Sequence, residues 1–176
     1  MKYQIVTSGF GGQGAVFIVK LLSLCAGIKG EKYLGTENHG MSQRGGSVSC
    51  FIKVGDFYTP VIEENQADMI IALEQNEGLR TLQYLKKGGK LIVNADDSLP
   101  RLEGCEAIKV DAFSLAKEGR FPAQALNAFM VGVASMQSGF PFDEETLKKG
   151  LEMINPKVAE SNIQVFELGR ACAPRS

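Results

Sequence analysis

Histidine occurs once in this chain of 176 residues, at His39, so no histidine cluster exists within it to bind a metal. The four cysteines, Cys25, Cys50, Cys105 and Cys172, are widely scattered and include no Cys-x-x-Cys. That spacing excludes the grouped thiolates of zinc and iron–sulfur sites. Reduced structural thiols in a cytoplasm are the expectation. An excess of charge of one sign is missing too: Lys+Arg 19 against Asp+Glu 20 leaves a net charge of −1, without the basic footprint of a nucleic-acid binder. No apolar run is long enough to span a bilayer, and Met1-Lys2 leads straight into an apparent strand rather than a signal peptide. No Gly-Lys-Ser/Thr follows the first glycine-rich run, which excludes a Walker A loop.

What the chain does have is enough apolar sequence, 44% of residues, to bury a core as one domain over residues 1–176. Its most informative stretch is Ser8-Gly9-Phe10-Gly11-Gly12-Gln13-Gly14. A strand is expected before it, over Tyr3 to Thr7, and an apolar helix after it, from Ala15 up to Gly27. Glycines 9, 11 and 14 fit G-x-G-x-x-G, in which glycine permits a tight turn, close backbone approach to a ligand and close packing of helix on strand. Free N–H groups and the positive end of the helix dipole then favour an anion, usually a phosphate. Gly9, Gly11, Gly12, Gln13 and Gly14 are accordingly the candidate cofactor-binding residues. A glycine-rich turn that only packs a helix on a sheet is the competing reading.

Strands and helices alternate along the rest of the chain. Ser47 to Val54 alternates as a strand, and Gly55-Asp56 followed by Phe57-Tyr58-Thr59 signals a hairpin. Ala67 to Leu73 reads as a strand buried on both faces. Leu79, Leu82 and Leu85 place a helix over Asn76 to Leu85, ended by Lys86-Lys87-Gly88-Gly89. Further strands are expected at Lys90 to Val93 and Glu106 to Val110, and a buried helix at Asn127 to Gln137. A last helix is capped by Asp143 and stopped at Asn155-Pro156. The pattern predicts an α/β fold: a three-layer α/β/α sandwich, Rossmann-like, whose mostly parallel mixed sheet carries an antiparallel hairpin.

A dinucleotide-binding domain would want an acidic residue ending its second strand, about 20 residues past the glycines. Glu31 and Glu37 are available, but Gly30 to Gly40 holds three glycines and does not read as a strand. A free-standing NAD or flavin protein therefore stays open with little support. The stretch Glu37-Asn38-His39-Gly40-Met41-Ser42-Gln43-Arg44-Gly45-Gly46 is the second unusual feature. Ordering so polar and glycine-rich a loop is costly unless its groups meet a ligand, another subunit or the chain's own backbone. No nucleophile or metal ligand accompanies His39, so hydrogen bonding suits it better than general-base work.

Gly9-Phe10-Gly11-Gly12-Gln13-Gly14, the Glu37–Gly46 stretch with its Met-Ser-Gln-Arg-Gly-Gly core, and the Ala67-Asp68 strand ending at Glu74 together resemble gamma-type subunits of 2-oxoacid:ferredoxin oxidoreductases. Ser47-Val48 and Glu77-x-Leu79-Arg80 make the closest resemblance that to the small (beta) subunits of the indolepyruvate type. Asn127 and the tail from Glu160 to Gly169 extend the likeness over nearly the whole chain, while Gly119 to Ala123 departs from the pattern. The resemblance implies a non-autonomous subunit of an enzyme that oxidatively decarboxylates aryl pyruvates to acyl-CoA and passes the electrons to ferredoxin. Pyruvate or 2-oxoglutarate enzymes are the alternatives within the family. It further implies no catalytic residue and no metal on this chain. Thiamine diphosphate, magnesium and iron–sulfur clusters would belong to a large partner subunit, and contact with coenzyme A is left open. Glu37, His39, Ser42, Gln43, Arg44, Gly45 and Gly46 would line the contact with that partner, and neither nucleic acid nor a membrane is an expected partner.

Overall fold

The computed structural model describes residues 1–39 and 46–174. Ile5 and Val6 are apolar neighbours that point to opposite sides of a strand, so Tyr3–Phe10 (β1) is stable only where both faces and both edges are covered. The sheet supplies that position. Ser47–Val54 (β3) runs antiparallel to β1 along its full length, and Ala67–Ala72 (β4) pairs parallel with it through Ile5–Ser8. Tyr33–His39 (β2) pairs antiparallel with β3 at one edge. Leu85–Asn94 (β5) and Glu106–Val110 (β6) continue the parallel half, giving the order β2-β3-β1-β4-β5-β6. The sheet is thus mixed, with an antiparallel hairpin, as the alternation predicts.

Helices cover the two faces unequally. One face, bearing Ile5, Cys50, Ile52, Met69, Ile71 and Ile92, packs against Ala15–Ile28 (α1), Leu126–Ser135 (α4), Glu144–Ile154 (α5) and Ala159–Cys172 (α6). The short Ala112–Lys117 (α3) adds to that layer. The opposite face, with Val6, Phe51, Ile70, Leu91 and Val93, is covered by Gln75–Thr81 (α2), a 3-10 turn over Leu82–Tyr84 and buried Ile62. Helices α4 and α6 meet through glycine. A Cβ on Gly132 of α4 would lie 2.1 Å from the Phe166 carbonyl oxygen, and one on Gly169 of α6 would lie 2.1 Å from that of Phe129. Asp143 accepts from Thr146 N–H at 2.8 Å, which confirms the expected cap of α5, and its second oxygen holds Lys29 at 2.5 Å. Those bonds hold its carboxyl well below the usual carboxylate range, the Lys29 contact contributing most.

Four local expectations fail, each for a tertiary reason. Helix α1 runs through Gly27 to Ile28; Gly30, at φ +69°, ends it, with Glu31 N–H donating to Ala26 O at 2.9 Å. The segment around Gly35 is a strand after all, because β3 offers it a full antiparallel edge and the missing side chain lets it sit against Val19. Phe57-Tyr58-Thr59 is not a strand: Val54 already has Tyr3 on one side and Tyr33 on the other, so the chain leaves the sheet. The antiparallel hairpin is β2–β3 instead. Finally, the helix expected to reach Leu85 stops at Thr81, whose hydroxyl donates to the Glu77 or Gly78 carbonyl. Leu85 opens β5, and Lys86 to Gly89 are an irregularity within it, since Ala67 pairs with Leu85 but Met69 with Lys90.

The glycine contacts between α4 and α6 yield a direct test. Gly132→Ala or Gly169→Ala overpacks a backbone-to-backbone contact and should cost about 1–3 kcal/mol of unfolding free energy. Gly27 is exposed, and a Cβ added there would meet nothing within 4 Å, so Gly27→Ala should instead add about 0.5–1 kcal/mol. Urea titration of the three variants measures both signs.

Candidate functional site

The carboxyl end of β1 is where the two motifs meet. Because β3 runs antiparallel to β1, its first residue, Ser47, lies opposite Phe10, and the far end of β2 lies beside it. Gly11 N–H donates to Gly46 O at 2.9 Å, a direct tie between the glycine loop and the end of the second motif. Glu37 and His39 are strand residues of β2, paired with Cys50 and Val48. Ser42, Gln43, Arg44 and Gly45 lie outside the described residues.

Within the loop each glycine has its own reason. A Cβ on Gly9 would lie 2.7 Å from Gln13 Oε1 and 3.1 Å from Leu73 Cβ, so this position is closed by packing. Gly12 has φ +87° and open space around it. Gly14 has φ +101° and caps α1, and a Cβ there would lie 2.4 Å from Asn127 Nδ2. Gln13 locks the turn: its Oε1 accepts from Phe10 N–H at 2.7 Å while its own N–H donates to Phe10 O at 3.1 Å. Below the loop, the buried Thr7 hydroxyl donates to Ala15 O at 3.0 Å and ties β1 to the first turn of α1.

The electrostatics of this end favour an anion. No side chain caps α1 and no acidic residue lies in its first turn, so the positive end of the dipole is uncompensated by charge. The nearby thiol is inert. Burial, with Glu37 adding to it against the opposing Thr7 contact, pushes Cys50 up to about 11, and burial pushes Cys25 to about 12. Both therefore stay protonated near neutral pH and are poor nucleophiles. The dinucleotide reading loses its geometry, because the strand beside β1 on that side is antiparallel β3 and Glu37 sits one strand further out.

Two other concavities are present, and the polar groups of the first have internal partners. A cleft of about 310 Å³ at the ends of β5 and β6 contains Glu74, Asn94, Asp96 and Asp111. Their side chains already serve α2, Leu73 and Ala112, Ser98 and α3 respectively. A groove of about 540 Å³ between α1, β2 and α5 is lined by Val19, Leu24, Tyr33 and Met153. Among the described residues no group of three or more His, Cys, Asp or Glu is placed to hold a metal ion. The donor set of this chain does not fit an iron–sulfur cluster, since Cys25 and Cys50 are buried thiols and the other two are half-buried and ungrouped. Asn127, placed against Gly14 by the fold, carries no motif spacing that reveals this contact.

The loop glycines should separate in a stability measurement. Gly12→Ala meets only the positive φ and should cost about 1 kcal/mol. Gly14→Ala also displaces Asn127 and should cost about 2–4 kcal/mol, read by chemical denaturation at constant m.

Comparison with known proteins is consistent with this architecture. Residues 4–172 match the family "Pyruvate ferredoxin/flavodoxin oxidoreductase". The chain is 35% identical to the indolepyruvate oxidoreductase subunit IorB of Thermococcus kodakarensis, over 96% of this chain and 94% of that one. Its fold is that of the keto/oxoacid ferredoxin oxidoreductase gamma subunit from Geobacter sulfurreducens, with a TM-score of 0.81 at 24% identity, covering 97% of this chain and 98% of that one. A 2-oxoglutarate:ferredoxin oxidoreductase from Magnetococcus marinus, solved with 2-oxoglutarate, coenzyme A and succinyl-CoA bound, shares the fold at a TM-score of 0.79 and 19% identity. This chain is covered to 98% there but matches 31% of the longer relative. Sequence and fold agree, and the chain belongs to the pyruvate ferredoxin/flavodoxin oxidoreductase family.

Proposed function

We propose that this chain is the small, gamma-type subunit of a 2-oxoacid:ferredoxin oxidoreductase that acts on aryl pyruvates such as indolepyruvate. The observation that carries the substrate class is the 35% identity to an indolepyruvate oxidoreductase subunit along almost the whole of both chains. The reaction class is oxidative decarboxylation, with the acyl group passed to coenzyme A and electrons to ferredoxin. Thiamine diphosphate, magnesium and the iron–sulfur clusters belong, in this reading, to a large partner subunit in the same cytoplasmic complex. Residues 1–176 then form one gamma-type domain with two duties at a single edge of its sheet.

The first duty is ligand contact at Gly9, Gly11, Gly12, Gln13 and Gly14. Support comes from the open side of Gly12, the locked turn and the uncapped start of α1, which together suit a phosphate of coenzyme A. The second duty is docking. Glu37, His39 and Gly46 lead into and out of the Ser42-Gln43-Arg44-Gly45 stretch, and the Gly11–Gly46 bond links this segment to the ligand-facing loop. Contact with the large subunit through residues 37–46 would thereby be coupled mechanically to the glycine loop.

Reconstitution tests the assignment. The purified chain alone should neither decarboxylate indolepyruvate nor reduce a viologen dye, and adding its large partner should yield CoA-dependent turnover. In that complex Gly12→Val should raise KM for coenzyme A, the subunit staying folded at a stability cost of about 1–3 kcal/mol from the positive φ. Turnover by the isolated chain would refute the subunit reading, and an unchanged CoA dependence would reduce the loop to packing. The docking duty has a separate check. Arg44, with five donors in a fixed fork, is the residue expected to make the buried charged contact. Arg44→Ala should weaken assembly by about 2–5 kcal/mol in a pull-down titration while the isolated subunit melts almost as before.

A further inference from the structure

Strand β2 is one edge of the sheet, with β3 on one side and, among the described residues, no strand on the other. Gly55 N–H donates to Lys32 O at 2.7 Å, which fixes the hydrogen-bonding phase of the pair. In an antiparallel ladder every second residue turns its N–H and C=O toward the neighbouring strand. Leu34 and Thr36, in step with Lys32, therefore face Lys53 and Phe51 of β3, and Tyr33 and Gly35 turn their backbone groups outward. Those groups of Tyr33 and Gly35 meet no hydrogen-bond partner among the described residues. Proline, lysine and a bulge, which keep many edges from pairing, are all missing from β2. The opposite edge, β6, is five residues long against seven and carries Glu106 and Lys109.

The groove of about 540 Å³ runs beside this edge, on the side of the sheet that α1 and α5 cover. Val19 and Leu24 of α1, Met153 and Ile154 of α5 and the bare backbone of Gly35 line it. Tyr33 and Gly35 share a sheet face with their pair partners Val54 and Ile52, which belong to the core on that side. A strand added along β2 would place every second side chain on the same face, and so in the groove. Its residue opposite Gly35 would fill the space that the missing side chain leaves. Unpaired backbone groups and an apolar slot for alternate side chains thus coincide along one edge.

A second copy of this chain is a poor occupant. Self-pairing along the full length of β2 sets Glu37 of one copy opposite Gly35 of the other, a carboxylate in an apolar slot. The large subunit suits the position better, because Glu37 and His39 belong to β2 and lead directly into the rest of the 37–46 docking stretch. We infer that an extended segment of the large partner subunit adds to β2 as an outer strand, hydrogen-bonded to Tyr33 and Gly35, with alternate apolar side chains in the groove between α1 and α5. The inference rests on the reading of residues 37–46 as the docking stretch and names the form that the contact takes.

Amide hydrogen exchange, read residue by residue in this chain alone and in its complex with the large subunit, tests it. In the isolated chain the Leu34 and Thr36 amides are held by β3, whereas those of Tyr33 and Gly35 should exchange fast. On assembly the Tyr33 and Gly35 amides should slow about a hundredfold or more, and the Leu34 and Thr36 amides much less. Tyr33→Pro removes an outward donor and no bond to β3, a change that edge strands tolerate. It should weaken assembly about tenfold, while Tyr33→Ala, which keeps the N–H, should stay closer to wild type. Met153→Asp, at an exposed position in the groove, should also weaken assembly about tenfold. Melting curves of the isolated variants establish that all three are folded. If residues 37–46 gain protection on assembly while Tyr33 and Gly35 do not, and Tyr33→Pro assembles like wild type, the inference is overturned and the docking stretch stands. Protection of Tyr33 and Gly35 that rises with concentration in the isolated chain identifies a second copy as the occupant and also overturns it. If the two subunits assemble with no change anywhere in residues 33–46, the inference and the docking stretch both fall.

Discussion

The pairing of β1 on both edges is the constraint on which the rest of the molecule depends. Eight residues pair with β3 and four with β4, while Ile5 and Val6 are buried on opposite faces. A strand held on four sides has no freedom at its end, so the backbone beyond Phe10 leaves the sheet at a fixed place and angle. The placing of the glycine loop follows from that exit. The antiparallel run of β3 returns the second motif to the same end, and the Gly11–Gly46 bond joins the two loops. Had β3 run parallel, Gly46 and Ser47 would lie at the opposite end of the sheet.

Close approach without side chains is the second theme. Gly132 and Gly169 let α4 and α6 cross backbone to backbone, Gly150 lets α5 approach Leu21 and Cys25 of α1, and Gly35 lets β2 lie under Val19. The helical layer is in this way drawn tightly over the face that carries the larger core. That tightness has a consequence at the loop, because it sets the N-terminus of α4 against the N-terminus of α1 and brings Asn127 to Gly14. Packing in the core and donor geometry at the edge are one arrangement.

The described groups of β1 and β3 at this edge are suited to binding. Its thiol is held protonated by burial, its hydroxyls at Thr7 and Ser8 are buried and directed to internal partners, and its backbone offers N–H groups. A surface of that kind suits contact with a ligand or a neighbouring subunit.

The strand–glycine loop–helix unit, the strands at 47–54, 67–72 and 106–110, and the Asp143 cap are all legible in the amino-acid order, because each is specified by neighbours a few residues apart. Both loops stand out there as well, since glycine and polar composition is a local property. Tertiary structure alone decided the rest. Residues 33–39 became a strand because β3 had a free edge, residues 57–59 did not because β3 had none left, and Leu85 joined the sheet although its spacing suits a helix. The convergence of Gly11 with Gly46, and of Gly14 with Asn127, was likewise invisible in the chain. Local propensity is read from side chains near in sequence, whereas these outcomes turn on which edges and faces remain uncovered once the sheet has formed.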